Sequence, residues 1–350
     1  MTRLTAAVAA ALLLAAKGSE GITLNPPPVL GSSYVYSYIS GAPYAPDIND
    51  GTLSNATFHT FASGPVTSLH LMPSSSFYGK PRAVVDASSR LWFLDENYLR
   101  IINFAGDSVT TVFPPLGAPL NVLSCNGSNS APFSCCGAIS ICGADAGWTT
   151  LYISAWTTPA DSAHFNDAPP PQYGIIAVSL ATWAYTVLPI PDHPWDCLVN
   201  ATSPTSGTIY ISVNGGIQTL NLATQVVSNF TQVLPVPDAD QYSYAANTNF
   251  ADGPLATAEF GPYTSLALGD GAQLYLADAL NHCIRRLDIA ALTVTTISGD
   301  PTAPPESVAN LQLTPSLAPI PVASARWDMP TSVVWDSARQ RLYVVCALVF

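Results

Sequence analysis

Five histidines are the side chains in this 350-residue chain best suited to chemistry: His59, His70, His164, His193 and His282. Three imidazoles converging on one point can hold zinc, and one beside a hydroxyl or thiol can activate it. Here no His-x-His or His-Glu pair fixes a ligand geometry, and no Gly-x-Ser-x-Gly, P-loop or Rossmann fingerprint occurs. No catalytic residue and no cofactor are therefore expected, and zinc or calcium is kept only as an alternative. Seven cysteines are present, four of them clustered at Cys125, Cys135, Cys136 and Cys142 without Cys-x-x-Cys spacing. Disulfides suit that density better than zinc. Two bonds within residues 125–142 are expected, with the pairing left open. Cys197, Cys283 and Cys346 are scattered, and the odd total leaves at least one thiol free or intermolecular.

The compartment follows from other residues. Arg3 and the apolar run Leu4–Ala16 read as a signal peptide over residues 1–18, with a linker over 19–33 and the folded domain over 34–350. Asn55, Asn126, Asn200 and Asn229 open Asn-x-Ser/Thr sequons and are candidate glycosylation sites. Together with the cysteines they predict a secreted or cell-surface glycoprotein. The formal net charge is −12 and the lysines are Lys17 and Lys80 alone. That excludes nucleic acid as an expected partner, because phosphate neutralisation needs Lys and Arg. No later apolar run has the length of a membrane span.

The elements that must position these residues are strands. With 31 Pro, 22 Gly and only 10% charged residues, the chain suits short strands and tight turns. Laid on itself, it repeats. "PRAVVDASSRLWFLDENYLRIINFAGDSVTTVF" from Pro81, "PYTSLALGDGAQLYLADALNHCIRRLDIAALTVTTISG" from Pro262 and "PTSVVWDSARQRLYVVC" from Pro330 each open on Pro, then a strand, a polar turn and a Leu-aromatic strand. Asp95 and Asp278 follow Leu91 and Leu274 by four residues, and Ile101 and Ile284 are matched six residues beyond those Asp. "DGTLSNATF" (50–58) matches "DGPLATAEF" (252–260).

This pattern resembles the NHL repeat, a four-stranded propeller-blade unit, with Asn281-His282-Cys283 and Asn97-Tyr98-Leu99 as incomplete copies of its Asn-His-Leu. The resemblance implies an all-β propeller with units of the usual repeat length plus insertions. Five innermost strands are counted, near Arg82, Gly137, Trp195, Thr264 and Thr331, so five blades are expected, with six as the alternative. The last unit stops after two strands. "YVYSYISG" (34–41) looks like "VTTISG" (294–299), so the N-terminal strand is expected to complete the last blade; a chain cut from a larger surface protein is the alternative. At the opening turn of the repeat, Asp278 is expected to cap the turn's backbone N–H groups, and His282 reads chiefly as a turn residue.

In such a meander, turns one-to-two and three-to-four share a face, and here they are short. The other face carries 59–80, 114–134, 156–173, 235–261 and 300–329, and all five histidines map to it. Long loops on a rigid scaffold are where binding resides. The expectation is a binding module for a protein, peptide or glycan, using Trp156, Tyr173, Trp195, His164, His193 and His282, with Trp148 and Trp183 as further candidate anchors. The alternative is a metal-dependent enzyme. The resembling family includes peptidyl-amidoglycolate lyases with a histidine-bound zinc, and lactonase-like propellers hold a divalent cation among axial carboxylates and amides, but no stretch here matches a metal motif residue by residue.

Overall fold

The structure is a computed structural model that describes residues 50–52, 56, 83–95, 98–113, 135–157, 172–213, 215–233, 250–261, 264–301, 322, 325, 327 and 330–346. Among these, nineteen strands form five antiparallel sheets. The first sheet is β1 (Val84–Val85), β2 (Leu91–Asp95), β3 (Tyr98–Asn103) and β4 (Ser108–Phe113). The second is β5 (Cys135–Ala144), β6 (Thr150–Thr157), β7 (Gln172–Ser179) and β8 (Tyr185–Ile190), and the third is β9 (Asp196–Ser203), β10 (Ser206–Val213), β11 (Gly216–Asn221) and β12 (Val227–Asn229). In the fourth, β14 (Thr264–Leu268), β15 (Gln273–Asp278), β16 (Cys283–Asp288) and β17 (Thr293–Gly299) run as a meander, and β13 (Gly253–Pro254) adds at the outer edge. The fifth holds β18 (Pro330–Asp336) and β19 (Arg341–Cys346).

Central strands of the second, third and fourth sheets bury residues of both parities because each of these sheets is clasped between two neighbours. In β6, Leu151 and Ile153 pack with Trp92, Leu94 and Leu99 of the first sheet, whereas Tyr152 packs with Ile209 and Ile211 of the third. The two-residue period of a strand thus deals its side chains alternately to the two flanking cores. The same division recurs in β10, where Ile209 faces the second sheet and Tyr210 the fourth, and in β15, where Leu274 faces the third and Tyr275 the fifth. Four-stranded meanders stacked face to face in chain order are consistent with a β-propeller. The segment expected to close the ring, Tyr34–Ser40, lies outside the described residues.

The short turns are built alike. Asp86 accepts hydrogen bonds from the N–H groups of Ser88 and Arg90 at 2.9 Å, and Asp145 from those of Thr149 and Thr150. Asn221 and Asp288 cap the third-to-fourth-strand turns in the same way. Each of these turns then needs a residue in the left-handed region. Ser89, Asp107, Trp148, Trp183, Gln225, Leu292 and Gln340 take it with φ between 45° and 60°. Trp148 and Trp183 enter it although they are bulky. Trp148 lies 5.9 Å from Trp92 and Trp183 stacks 6.0 Å from Phe113, which seals the first sheet against the second. Both tryptophans belong to this core and to the short-turn side, not to the long-loop face.

The repeat survives at the level of contacts, with a corrected register. Asp95 pairs with Tyr98, whereas Asp278 pairs with Cys283, so the β2–β3 turn is two residues shorter than the β15–β16 turn. The structural partner of Ile284 is therefore Leu99, not Ile101: both precede a bulge, and Arg100 and Arg285 follow it. Arg285 is fully buried. It donates to the Asp252 carboxylate at 2.7 and 3.1 Å, to Asp278 at 3.2 Å, and to the carbonyls of Ala251 and Glu259. The rings of Phe250 and Phe260 lie 4.5 and 4.6 Å from its guanidinium carbon. Arg100, also fully buried, reaches Asp50 at 3.3 Å. Asp50 and Asp252 in turn accept the N–H of the matching threonines, Thr111 and Thr296. The Asp-Gly segment is thus an outer strap, held by the next unit's third strand.

The cysteine expectation needs correction. Cys142 is bonded to Cys197, 55 residues away, and not within its cluster. The inner strands β5 and β9 lie side by side, which brings the two Cα atoms to 4.6 Å, inside the range a disulfide requires. Cys135 and Cys136 lie in β5, and Cys125 falls outside the described residues. Cys283 is a buried free thiol whose pKa is pushed up to about 12, chiefly by burial.

Two measurements check this frame. Arg285→Ala leaves Asp252 and Asp278 without their counter-charge and should cost about 3–5 kcal/mol in denaturant unfolding, whereas Arg339→Ala, in an exposed pair with Asp336, should leave the midpoint unchanged. Non-reducing peptide mapping should recover a Cys142–Cys197 cross-link, and the double Cys→Ser variant should lose about 2–4 kcal/mol.

Candidate functional site on the long-loop face

The link from the second sheet to the third is short: Pro191 to Trp195 joins β8 to β9. Two prolines and the need to reach the neighbouring inner strand force it across the long-loop face. It sets His193 between two rings, 5.1 Å from Tyr173 at the start of β7 and 4.3 Å from Trp195. Trp195 is buried at 8% exposure and packs with Ala279 and half-buried Leu280 of the β15–β16 turn. That turn also holds His282, whose φ of 52° and N–H bond to the Ala279 carbonyl identify it as a turn residue. The backbone of Trp156 pairs with Tyr173 across β6 and β7. Of the six residues expected to bind, Tyr173, His193 and Trp195 come together here, and the turn that carries His282 packs against Trp195. His164 lies outside the described residues, as do His59 and His70. Trp195 supports this surface from beneath; Tyr173 and His193 are its half-buried members.

Beneath the aromatic cluster lies a polar hub that sequence reading missed. Asp196 is 1% exposed. Its carboxylate accepts Ser140 Oγ–H at 3.1 Å from β5, and at 2.9 Å its own strand's Cys197 N–H and the Ser265 Oγ–H and Leu266 N–H of β14. Ser212 and Thr264 share a further buried hydrogen bond. Four such donors offset the cost of burying a carboxylate. Beside the cluster, Asp192 accepts Gln218 Nε2–H at 2.7 Å, and Asn229 Oδ1 accepts the same amide at 3.0 Å. The only hint of these roles in the sequence was a polar residue inside an apolar strand, Gln218 in "GIQTLNL".

Asp278 does not cap its own turn as expected. It is fully buried and accepts the Gly261 N–H at 3.1 Å, the Asn281 side chain at 2.9 Å and Arg285. Burial raises its pKa, against the opposing pull of Arg285, Asn281 and Gly261. The turn is fastened to the inner strand's entry, which is why a polar knot sits against this strand. Asn200 and Asn229, two of the four sequons, are exposed on β9 and β12; Asn55 and Asn126 fall outside the described residues. Among the described residues no group of three His, Cys, Asp or Glu is placed to hold a metal, and no helix is long and apolar enough to cross a membrane.

No family model matches the chain, and no curated protein matches it. Solved structures do resemble it. One is a protein of unknown function from Bacteroides thetaiotaomicron, at 14% identity and TM-score 0.40, covering 89% of this chain and 72% of that one. Another, from the same organism, is an auxiliary nutrient binding protein, at 15% identity and TM-score 0.39, covering 90% and 75%. A third is a calcium-binding regucalcin from Agrobacterium tumefaciens, at 13% identity and TM-score 0.38, covering 77% and 69%. Likenesses this distant assign no ligand and no chemistry to this chain.

Burial lowers the pKa of His193 from its ordinary 6.5 to about 4, partly offset by its own backbone. The unfolded chain therefore takes up this proton near pH 6.5 and the native chain only near 4. Between those values the unfolded state binds more protons, so the contribution is complete above pH 6.5 and is lost as pH falls toward 4, by up to about 1.4 kcal/mol per pH unit. His193→Phe keeps a ring between Tyr173 and Trp195 and should flatten that part of the stability profile; an unchanged profile would show that His193 titrates alike in the native and unfolded chains.

Proposed function

We propose that the chain is a secreted binding module on an NHL-type propeller, whose long-loop face recognises a protein, peptide or glycan. In this reading residues 1–18 are removed, 19–33 form a linker, and 34–350 form five blades, the last completed by Tyr34–Ser40 and braced as an extracellular domain. Asn55, Asn126, Asn200 and Asn229 carry glycans. The observation that carries the reading is the Tyr173–His193–Trp195 cluster, three aromatic side chains from β7 and the β8–β9 link gathered on the face that bears the long segments. Rings already held by neighbours lose little conformational freedom when a ligand covers them, so they return more of their contact energy as affinity. A disulfide between inner strands and two exposed sequons support the extracellular setting.

The test is binding of the purified protein to peptide and glycan arrays. Tyr173→Ala should weaken any selected ligand at least tenfold, in line with about 2 kcal/mol for a buried aromatic anchor. Val226→Glu, at an exposed site on the short-turn side, should change it less than twofold. The reverse pattern in folded variants overturns the assignment of faces.

A further inference from the structure

Counting three residues back from the residue that ends the third strand of the first, third and fourth sheets finds one recurring position. Asn103, Asn221 and Asp288 all cap the following turn, and three before them stand Arg100, Gln218 and Arg285. The pairing agrees: Arg100 lies opposite Thr111, Gln218 opposite Asn229 and Arg285 opposite Thr296. Each is gripped by a carboxylate from the segment entering its own sheet, Asp50, Asp192 and Asp252 respectively. In the fourth sheet that segment also lays Phe250 and Phe260 against the guanidinium. In the third it supplies His193 and Trp195. The third sheet therefore keeps the carboxylate seen in the first and fourth, with two rings in the same segment, but carries a neutral amide where those two sheets carry an arginine; in the second sheet the position is Ile176.

Three further observations point to a cationic guest. Gln218 is 3% exposed, and its Oε1 has no hydrogen-bond partner among the described residues. Because Nε2 donates to Asp192, which only accepts, the amide orientation is fixed and the orphan is an acceptor that needs a donor. His193 Nδ1 is likewise buried without a partner among the described residues. From residue 101 to residue 284 the chain has no Lys or Arg, against twelve Asp and Glu, so no basic side chain of this stretch supplies the donor. The imidazole of His193, uncharged at neutral pH, adds no repulsion. Aromatic faces and a half-buried carboxylate favour a guanidinium or ammonium over a neutral group.

We propose that the surface formed by Asp192, His193, Gln218 and Tyr173 receives an arginine or lysine side chain of a partner protein, taking in trans the place that Arg100 and Arg285 fill in cis. This rests on the long-loop face being the binding face. A guest there satisfies the orphaned carbonyl of Gln218, and its charge is drawn by the acidic middle of the chain.

The test compares peptides carrying arginine, lysine, citrulline or norleucine at one position, each in a fixed neutral extended sequence, by calorimetric titration at low and high salt. Arginine and lysine peptides are expected to bind at least tenfold more tightly than citrulline and norleucine peptides, with the difference shrinking as salt rises. Gln218→Arg, which rebuilds the nest in cis, should raise the melting temperature and abolish that preference. Asp192→Asn should reduce the preference while leaving the protein folded. Equal binding of arginine and citrulline peptides, or a preference untouched by Gln218→Arg, overturns the proposal. If a neutral peptide or glycan instead binds in a Tyr173-dependent way, the binding face stands and only the cationic guest fails. Binding indifferent to Tyr173 removes both.

Discussion

Sheets that stack face to face have no backbone ladder between them, so something other than strand pairing must set their spacing. In this chain the Asp196 carboxylate does so for three consecutive sheets, accepting donors from β5, its own β9 and β14. The apolar clusters on either side tolerate sliding, because dispersion has little direction. A carboxylate with four donors does not, because each bond has an angle and a length and each lost bond strands a buried charge. The neighbouring Cys142–Cys197 bond holds the same junction covalently. The aromatic cluster above is positioned by this hub: Trp195 immediately precedes Asp196, and His193 can go only where the short link permits.

Much of this frame was legible. Alternation, Pro-opened strands and Asp or Asn at tight turns located the inner strands within a few residues of where they lie, because local patterning and turn chemistry are encoded nearby in sequence. What escaped was whatever depends on register. Matching Ile101 to Ile284 by equal spacing concealed that one turn is two residues shorter, and with it the equivalence of Arg100 and Arg285. Turn length shifts sequence distance without shifting position in the sheet. The pairing of Cys142 escaped for a related reason. Cysteines close in sequence invited pairing with each other, whereas the partner sits on the adjacent inner strand, a relation that exists only after the sheets stack.

The candidate site was half legible. Tyr173, His193 and Trp195 were chosen for residue type and face, and the fold gathers them. Trp148 and Trp183 were chosen on the same ground and go elsewhere, into a left-handed turn position that sends their rings between two sheets. Residue type does not separate these cases; the dihedral of the turn does. Asp192 and Gln218 had no signature at all, since an Asp in a Pro-bounded link and a Gln in a strand are ordinary until seen beside the arginines of the first and fourth sheets.

The disulfide also determines how the chain responds to mechanical force. Cys142 and Cys197 sit on adjoining inner strands, and β6, β7 and β8 all lie within the loop they close. A pull applied to the two ends of the chain bypasses that loop, because tension crosses from one cysteine to the other through sulfur. With the bonded positions 55 residues apart in sequence, roughly 190 Å of contour is withheld from extension at about 3.5 Å per residue. Three strands of the second sheet therefore bear no load while the bond is intact, and reduction converts that hidden length into slack. For a molecule tethered at both ends, redox state would decide how far it stretches before the sheet holding the aromatic cluster comes apart.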